Sequence, residues 1–318
     1  MKLRYRIDAS SLVQSACLLR WKRIMMQGYC DKVPWNDTWY GSCFHRFCSV
    51  MAETKNNFGE ATLAAQSMFD RPLQIRPNKK HLTAQHLIKT CHDFFLHFAP
   101  KDSFELMYIN DKPLVEVEFE NEVYEDDEII ISLVGTIDKI GKILNGAYCI
   151  GDYKTHSLFS VSKDPKYTGY EIQEFFKKFE LSLQLRFYLY NLKLKAKKFP
   201  DTELARICEG NVGVFIDGVF MSTKEPTLFK RSDVFTFKDW QLNQLEQLIT
   251  QKVEQVKFLH KNPKYSTMDG IITGACVDGR FPCMFHKVCA CGDETISNIL
   301  LTNDYNKREY NPLLFSKQ

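Results

Sequence analysis

No stretch of the 318-residue chain reaches the run of roughly twenty apolar residues that a membrane-spanning helix needs. The opening Met1-Lys2-Leu3-Arg4-Tyr5-Arg6 also lacks the apolar stretch of a secretory signal. These absences predict a soluble, cytoplasmic protein with no membrane partner. There is no Gly-x-x-x-x-Gly-Lys-Ser/Thr loop, which excludes a built-in nucleotide-driven motor. Charge of one sign is scarce as well: the formal net charge is +3, so any polyanionic partner must be met by local clusters. Arg20-Trp21-Lys22-Arg23, Arg76 to Lys80, and Lys193 with Lys195, Lys197 and Lys198 are those clusters. Each could meet phosphates, although a solvated helix face accounts for a charge run more often.

A disulfide framework is also missing, because the eleven cysteines are an odd number in a chain expected to stay in a reducing compartment. Cys30, Cys43, Cys48, Cys91, Cys149 and Cys208 stand singly in apolar settings and read as small core residues. Cys276, Cys283, Cys289 and Cys291 are bunched, which fits metal ligation or reduced thiols beside a turn.

What is present is an enzyme-sized hydrophobic content of 44%, with 13% aromatics, enough for one large core or two modest ones. Ser10 or Ser11 caps a helix expected over residues 10–29, and another starts near Trp39. Helical periodicity recurs at 60–70 and 81–98, so residues 1–105 read as a mainly helical N-terminal region. Val, Ile, Phe and Tyr then dominate 113–124, 128–140, 147–154 and 211–221, which predicts strands, while 171–198 and 238–261 carry helical spacing. The expected fold class is α/β, with a mixed central sheet flanked by helices. We expect one domain over 1–318, with the catalytic core at 106–262, a cysteine segment at 263–295 and a tail at 296–318. Asn311-Pro312-Leu313-Leu314-Phe315 in that tail is expected to pack locally or be disordered.

The chemistry concentrates in Gly-Thr-Ile-Asp (135–138) and Asp-Tyr-Lys (152–154). Side chains alternate along a strand, so Asp152 and Lys154 point the same way and can converge with Asp138 from a neighbouring strand on one divalent cation. Two carboxylates and a lysine are the equipment of a phosphodiester hydrolase. Gln184 and Tyr188, four apart, share a helix face and could hold a phosphate beside the metal, or be the polar edge of an amphipathic helix. His45 adds an imidazole, a residue type that is more often structural than ligating.

In combination these pieces resemble the PD-(D/E)XK nuclease superfamily and, within it, the RecB-like and AddB-like exonuclease branch that also holds the CRISPR adaptation nucleases. Gly-x-x-x-His matches Gly41 to His45, Gly-x-x-Asp matches Gly135 to Asp138, Asp-x-Lys matches Asp152 to Lys154, and Gln-x-x-x-Tyr matches Gln184 to Tyr188. The likeness runs from about Ser10 to Cys289. Four motifs in the family's order are hard to obtain by chance. The resemblance implies that His45, Asp138, Asp152 and the Tyr153 carbonyl bind Mg²⁺ or Mn²⁺, and that Lys154 orients or activates the attacking water. Hard oxygen donors suit Mg²⁺, and a nitrogen ligand tilts preference toward Mn²⁺. One departure is Ile137, where the superfamily's name has proline; the RecB-like branch commonly lacks it.

Several members of that branch hold a four-iron, four-sulfur cluster on one early and three late cysteines. The resemblance assigns Cys17, Cys276, Cys283 and Cys289 to such a cluster, with Cys291 a rival to Cys289 and a structural Zn²⁺ the alternative occupant. Cys276 and Cys283 are separated by six residues where two are usual. The expected function is a metal-dependent DNA exonuclease of DNA processing, recombination or repair, of phage type. A separate helicase, annealing protein or integrase would be its partner, and Trp21 and Tyr40 would be available to stack on bases. The alternatives are a CRISPR-adaptation nuclease that trims ends for an integrase, and a catalytically silent DNA-binding or scaffold subunit.

Overall fold

Alternating Val, Ile, Phe and Tyr build the long strands that the sequence predicts, and a computed structural model places them in one sheet. The structure describes residues 2–76, 79–100, 102–157, 165–221, 227–265, 273–274, 276–278, 281–291 and 293–313. The elements begin with β1 Leu3–Ile7, α1 Ala9–Gln14, α2 Leu18–Trp21, a π-helical turn Lys22–Met26, β2 Tyr29–Asp31, α3 Asn36–Glu53, α4 Phe58–Phe69 and α5 Ala84–Phe98. There follow β3 Phe104–Leu106, β4 Tyr108–Ile109, β5 Lys112–Pro113, β6 Val115–Glu125, β7 Ile129–Ile143, β8 Tyr148–Ser157, α6 Pro165–Glu180, α7 Leu183–Lys198, α8 Glu203–Cys208, β9 Gly213–Met221 and β10 Leu228–Arg231. The last are α9 Asp239–Lys261, β11 Val277–Asp278, β12 Phe281–Pro282, α10 His286–Ala290, α11 Glu294–Asp304 and β13 Tyr305–Lys307.

The sheet order is β1-β7-β8-β9-β10, with β3 and β6 also on β7. The β1–β7 and β8–β9 pairs are parallel, whereas β7–β8 and β9–β10 are antiparallel. The sheet is therefore mixed, as expected, and helices cover it. By contacts the chain divides into two units. One comprises Met1–Val33, Phe119–Gly135 and Trp240–Lys317; the other comprises Pro34–Glu118 and Thr136–Asp239.

In the second unit, β9 is buried at every residue, the signature of a central strand covered on both faces. On one face Phe44, Phe47, Leu87 and Phe94 from α3 and α5 pack with Tyr153, Val219, Met221 and Phe229. On the other face Phe175 and Phe176 of α6 meet Phe220 edge to face. Each fully buried ring contributes roughly 1.5–3 kcal/mol of apolar burial. In the first unit, Ile24, Phe285, Val288 and Leu301 form a small core, and Tyr5 of β1 bonds His260 of α9 at 3.0 Å.

Three local expectations are corrected. Residues 10–29 are not one helix: α1 stops at Ser15, Cys17 is extended with φ −123° and ψ 111°, and the chain resumes as α2 and the π turn. Residues 171–198 are two helices, because Ser182 starts α7 by capping the Leu185 amide. The N-terminal region also holds β1, whose Arg4 and Arg6 disguise it as a charged leader and pair with Glu120. Trp21 and Tyr40 have no exposed surface; the Tyr40 hydroxyl donates to Thr90 at 2.8 Å, so neither can stack on a base. Nor is Arg20 to Arg23 a solvated or phosphate-facing patch: Lys22 is buried and donates to the Pro263 and Tyr265 carbonyls, and Arg23 is buried against Cys289. No described helix is long and apolar enough to cross a membrane. In the tail, Leu314 and Phe315 lie outside the described residues.

Gly151 shows how tightly the sheet's centre is built. A Cβ there would fall 2.5 Å from Lys139 Cε and 2.6 Å from Phe215 Cζ. Gly151→Ala is expected to cost about 1–3 kcal/mol through overpacking, read from the midpoint of chemical denaturation.

Candidate functional site

The centre forms where the β7–β8 ladder opens. Regular pairing ends at Lys139 opposite Gly151, and the next residues outward are Asp138 and Asp152. The Tyr153 amide then has no β7 carbonyl to meet and instead donates to Asp138 Oδ2 at 2.6 Å. The carboxylate thus replaces a ladder bond and is held by backbone. His45 arrives on α3. One turn earlier, Gly41 lets the helix approach β8, since a Cβ there would lie 3.3 Å from Thr155 Oγ1. His45 Nε2 donates to the Tyr153 carbonyl at 3.1 Å, and its Nδ1 faces Asp138 Oδ1 at 3.3 Å.

Glu116, which sequence reasoning missed, completes a group: ligand atoms of His45, Glu116 and Asp138 lie within 4.8 Å of one another. Strict alternation along β6 puts Glu116 on the side of the exposed Glu120 and Glu122, away from the buried Phe119 and Asn121. A left-handed backbone at Glu116, φ 47°, breaks that alternation and re-aims the side chain. Such a conformation in a non-glycine costs of order 1–3 kcal/mol and clusters at functional sites. Only a glutamate just ahead of the motif strands marked it, one of several in an acidic run.

The electrostatics are those of a crowded, buried acidic cluster with one imidazole and one lysine. Burial would depress His45, but Asp138 pushes its pKa up to about 9, so without a metal a proton stands between the two groups. Burial lifts Asp138, yet His45, Lys154 and the Tyr153 amide override it and hold the carboxyl below its ordinary range. Glu116 is raised to about 7 by burial and by the Asp138 charge. Asp152 is 1% exposed; burial raises it to about 6, with Asp138 adding to and Lys154 opposing the shift. Its Oδ2 pairs with Lys154, and its Oδ1 is buried without a hydrogen-bond partner. An orphaned buried carboxylate oxygen is costly unless a cation takes it. The donor set, a nitrogen and several carboxylate oxygens, fits Mg²⁺ or Mn²⁺.

Gln184 and Tyr188 come together as expected, with Gln184 Nε2 donating to the Tyr188 hydroxyl at 2.6 Å on the first two turns of α7.

All eleven cysteines are free thiols. Cys17, Cys276, Cys283 and Cys289 line one cavity of about 180 Å³ together with Arg20, Arg23 and Phe285. Burial and the proximity of the other three thiols raise the Cys276 pKa. The extended break after α1 presents Cys17. The unusual six-residue spacing is taken up by the β11–β12 hairpin, whose base brings the Cys283 amide to the Cys276 carbonyl at 2.8 Å. Residues 279 and 280 of that stretch lie outside the described residues. Cys291 is turned elsewhere, its Sγ 3.0 Å from Ser297 Oγ and donating to the Val288 carbonyl.

The protein-family model described as the PD-(D/E)XK nuclease superfamily matches residues 14–290. Among solved structures, the chain is similar to a candidate exonuclease from Eubacterium rectale, with 12% identity over 90% of this chain and 93% of that one, at a TM-score of 0.46. It is similar too to the structure of SSO0001, with 13% identity over 66% of this chain and 74% of that one, at a TM-score of 0.25. No curated protein matches the chain.

Proposed function

The chain belongs to the PD-(D/E)XK nuclease superfamily, whose members cleave phosphodiesters with divalent metals, and we propose that it is a metal-dependent DNA exonuclease of the RecB-like branch. The observation that carries this is the orphaned Asp152 Oδ1 beside the convergent His45, Glu116 and Asp138. Mg²⁺ or Mn²⁺ would be held by His45, Asp138, Asp152 and the Tyr153 carbonyl, with Glu116 as a further carboxylate, and would supply charge neutralisation at the phosphate and a more acidic water.

The residues themselves divide the work. Asp138, fixed by the Tyr153 amide, and Asp152 hold negative charge at set positions while burial excludes bulk water. Lys154, 23% exposed, presents its ammonium from the Asp152 side and orients the attacking water or a phosphate oxygen. The hydrogen-bonded Gln184 and Tyr188 would position the DNA strand. The intact set of ligands and lysine favours an enzyme over a silent scaffold subunit.

For the cysteine cavity we propose a four-iron, four-sulfur cluster on Cys17, Cys276, Cys283 and Cys289. The cluster reading follows the likeness to the RecB-like branch, several of whose members hold one on an early and three late cysteines; a single Zn²⁺ on the same four cavity-lining thiols is the alternative. The biological setting proposed is DNA processing or recombination beside a separate helicase or annealing protein; copurification with an integrase would move it to adaptation-type end trimming.

The test is digestion of end-labelled single- and double-stranded DNA by anaerobically purified protein. Release of label that requires Mg²⁺ or Mn²⁺ is the expected result, and its pattern gives the polarity. Intact, metal-loaded protein that leaves every substrate uncut would point to the scaffold reading.

A further inference from the structure

A buried charge network lies behind the site and takes no part in the chemistry above. Lys139, next to Asp138 on β7, runs its stem across Gly151 of β8 and donates to Asp217 Oδ2 on β9 at 2.5 Å. Asp217 has no exposed surface and receives Arg231 Nε and Nη2 at 2.7 and 2.9 Å, while Arg231 Nη1 reaches Asp102 at 2.6 Å. Burial would raise the Asp217 carboxyl, but Lys139 and Arg231 keep it below its ordinary range, so Asp217 keeps its charge.

Replacing such buried ion pairs by apolar groups is often neutral for stability, so their presence asks for a reason other than holding the fold together. The reason is visible at Tyr153. The Lys139 ammonium sits 4.3 Å from the centre of the Tyr153 ring. On one side that ring packs edge-on against Phe44 and Phe94, and on the other it borders a cavity of about 370 Å³ also lined by Phe104, Cys48 and Lys139, where the ammonium is the charged contact. The strand is paired with β9 here, Tyr153 opposite Asp217, but on the β7 side the ladder has already opened at this residue. Yet the Tyr153 peptide is the hub of the metal centre, its amide bonded to Asp138 and its carbonyl to His45.

We propose that Lys139 is a positioning residue for the divalent-cation site: clamped by Asp217 and Arg231, its ammonium fixes the Tyr153 ring and through it the peptide that aims Asp138 and His45. The proposal rests on reading His45, Glu116, Asp138 and Asp152 as a cation site. Partners that orient ligands typically contribute about 10–100-fold to metal affinity.

The experiment is direct Mn²⁺ binding by calorimetry and electron paramagnetic resonance, without nucleic acid, on wild type, Lys139→Met and Lys139→Arg, each checked for folding by circular dichroism. Lys139→Met is expected to raise the Mn²⁺ Kd about tenfold or more in folded protein, with Lys139→Arg between it and wild type. A merely structural role would lower the melting temperature and leave the Kd of the folded protein unchanged, and that result overturns the proposal. Should Lys139→Met fail to fold, the Lys139→Arg Kd decides by the same criterion. Absence of Mn²⁺ binding by the wild type would instead remove the cation-site reading beneath it.

Discussion

Asp152→Asn is expected to abolish metal-dependent cleavage while making the metal-free protein more stable. Metal-ion catalysis contributes several kcal/mol to a barrier, and each 1.36 kcal/mol is tenfold, so the loss should be about a thousandfold or more. The gain in stability follows from the same side chain. Asp152 is 1% exposed with an unbonded Oδ1, and burial lifts its pKa to about 6. An ordinary carboxyl titrates near 3.9. The folded state therefore binds this proton more tightly than the unfolded chain, so stability falls as pH rises from about 4 through about 6, and the deficit persists above that. Asn carries no charge there, and Lys154, 23% exposed, can turn to water when its partner is neutral. Melting curves in a chelator at pH 5 and 7.5 should show the wild type losing stability against Asp152→Asn at the higher pH, by roughly 1–2 kcal/mol. Added Mn²⁺ should reverse the order, stabilising the wild type according to the ratio of Mn²⁺ to its Kd. A variant that is inactive but less stable in chelator would mean that Asp152 serves the fold.

The strands that carry Asp138, Asp152 and Lys154 were legible because chemistry and periodicity coincide in them. Alternation places Asp152 and Lys154 on one side whatever the tertiary context, and the neighbouring hydrophobic residues set the strand register. What alternation cannot convey is a ladder that opens, which gives the Tyr153 amide bond to Asp138, or a strand residue in the left-handed region, which re-aims Glu116 on β6. Glu116 escaped notice for that reason. The helix expected over 10–29 has sound periodicity, but the extended residue that breaks it is the cysteine presented to the thiol cavity, so a tertiary demand overrides local propensity. The basic run Arg20 to Arg23 misled similarly. Composition shows charge, whereas only the fold shows that Lys22 is buried and donates to the Pro263 and Tyr265 carbonyls and that Arg23 donates to Cys289 Sγ at 3.1 Å. The buried Lys139–Asp217–Arg231 network joins the β9–β10 pair to a lysine 78 residues from Asp217 and leaves no local pattern to read.

Cys17→Ala should strip the cysteine cavity of its metal and loosen the unit that holds both ends of the chain, whereas Cys291→Ala should do neither. Cys17 and Cys276 are more than two hundred residues apart, so a shared metal centre closes a very long loop and removes much of the entropy of the unfolded chain. Structural metal sites bound by thiolates contribute about 10–16 kcal/mol of binding free energy, much of which is folding free energy. Apart from the thiol, Cys17 is held by local bonds: its amide donates to the Gln14 carbonyl at 3.2 Å, its carbonyl accepts from the Trp21 amide at 3.0 Å, and the nearby Ala16 carbonyl accepts one bond from Thr273. Loss of one thiolate in four should therefore remove iron and sulfide from the purified protein and lower the melting temperature by roughly 10 °C or more. It should also open residues within Met1–Val33 and within the segment after α9 to limited proteolysis. Cys291 is the matched control, because its thiol is engaged by Ser297 and the Val288 carbonyl. Metal analysis on both variants also separates the occupants: zinc retained at one ion per chain in the wild type would replace the cluster with a structural Zn²⁺ on the same four thiols. Full iron content in Cys17→Ala would instead show that the early ligand lies elsewhere, and the long-loop account of stability would go with it.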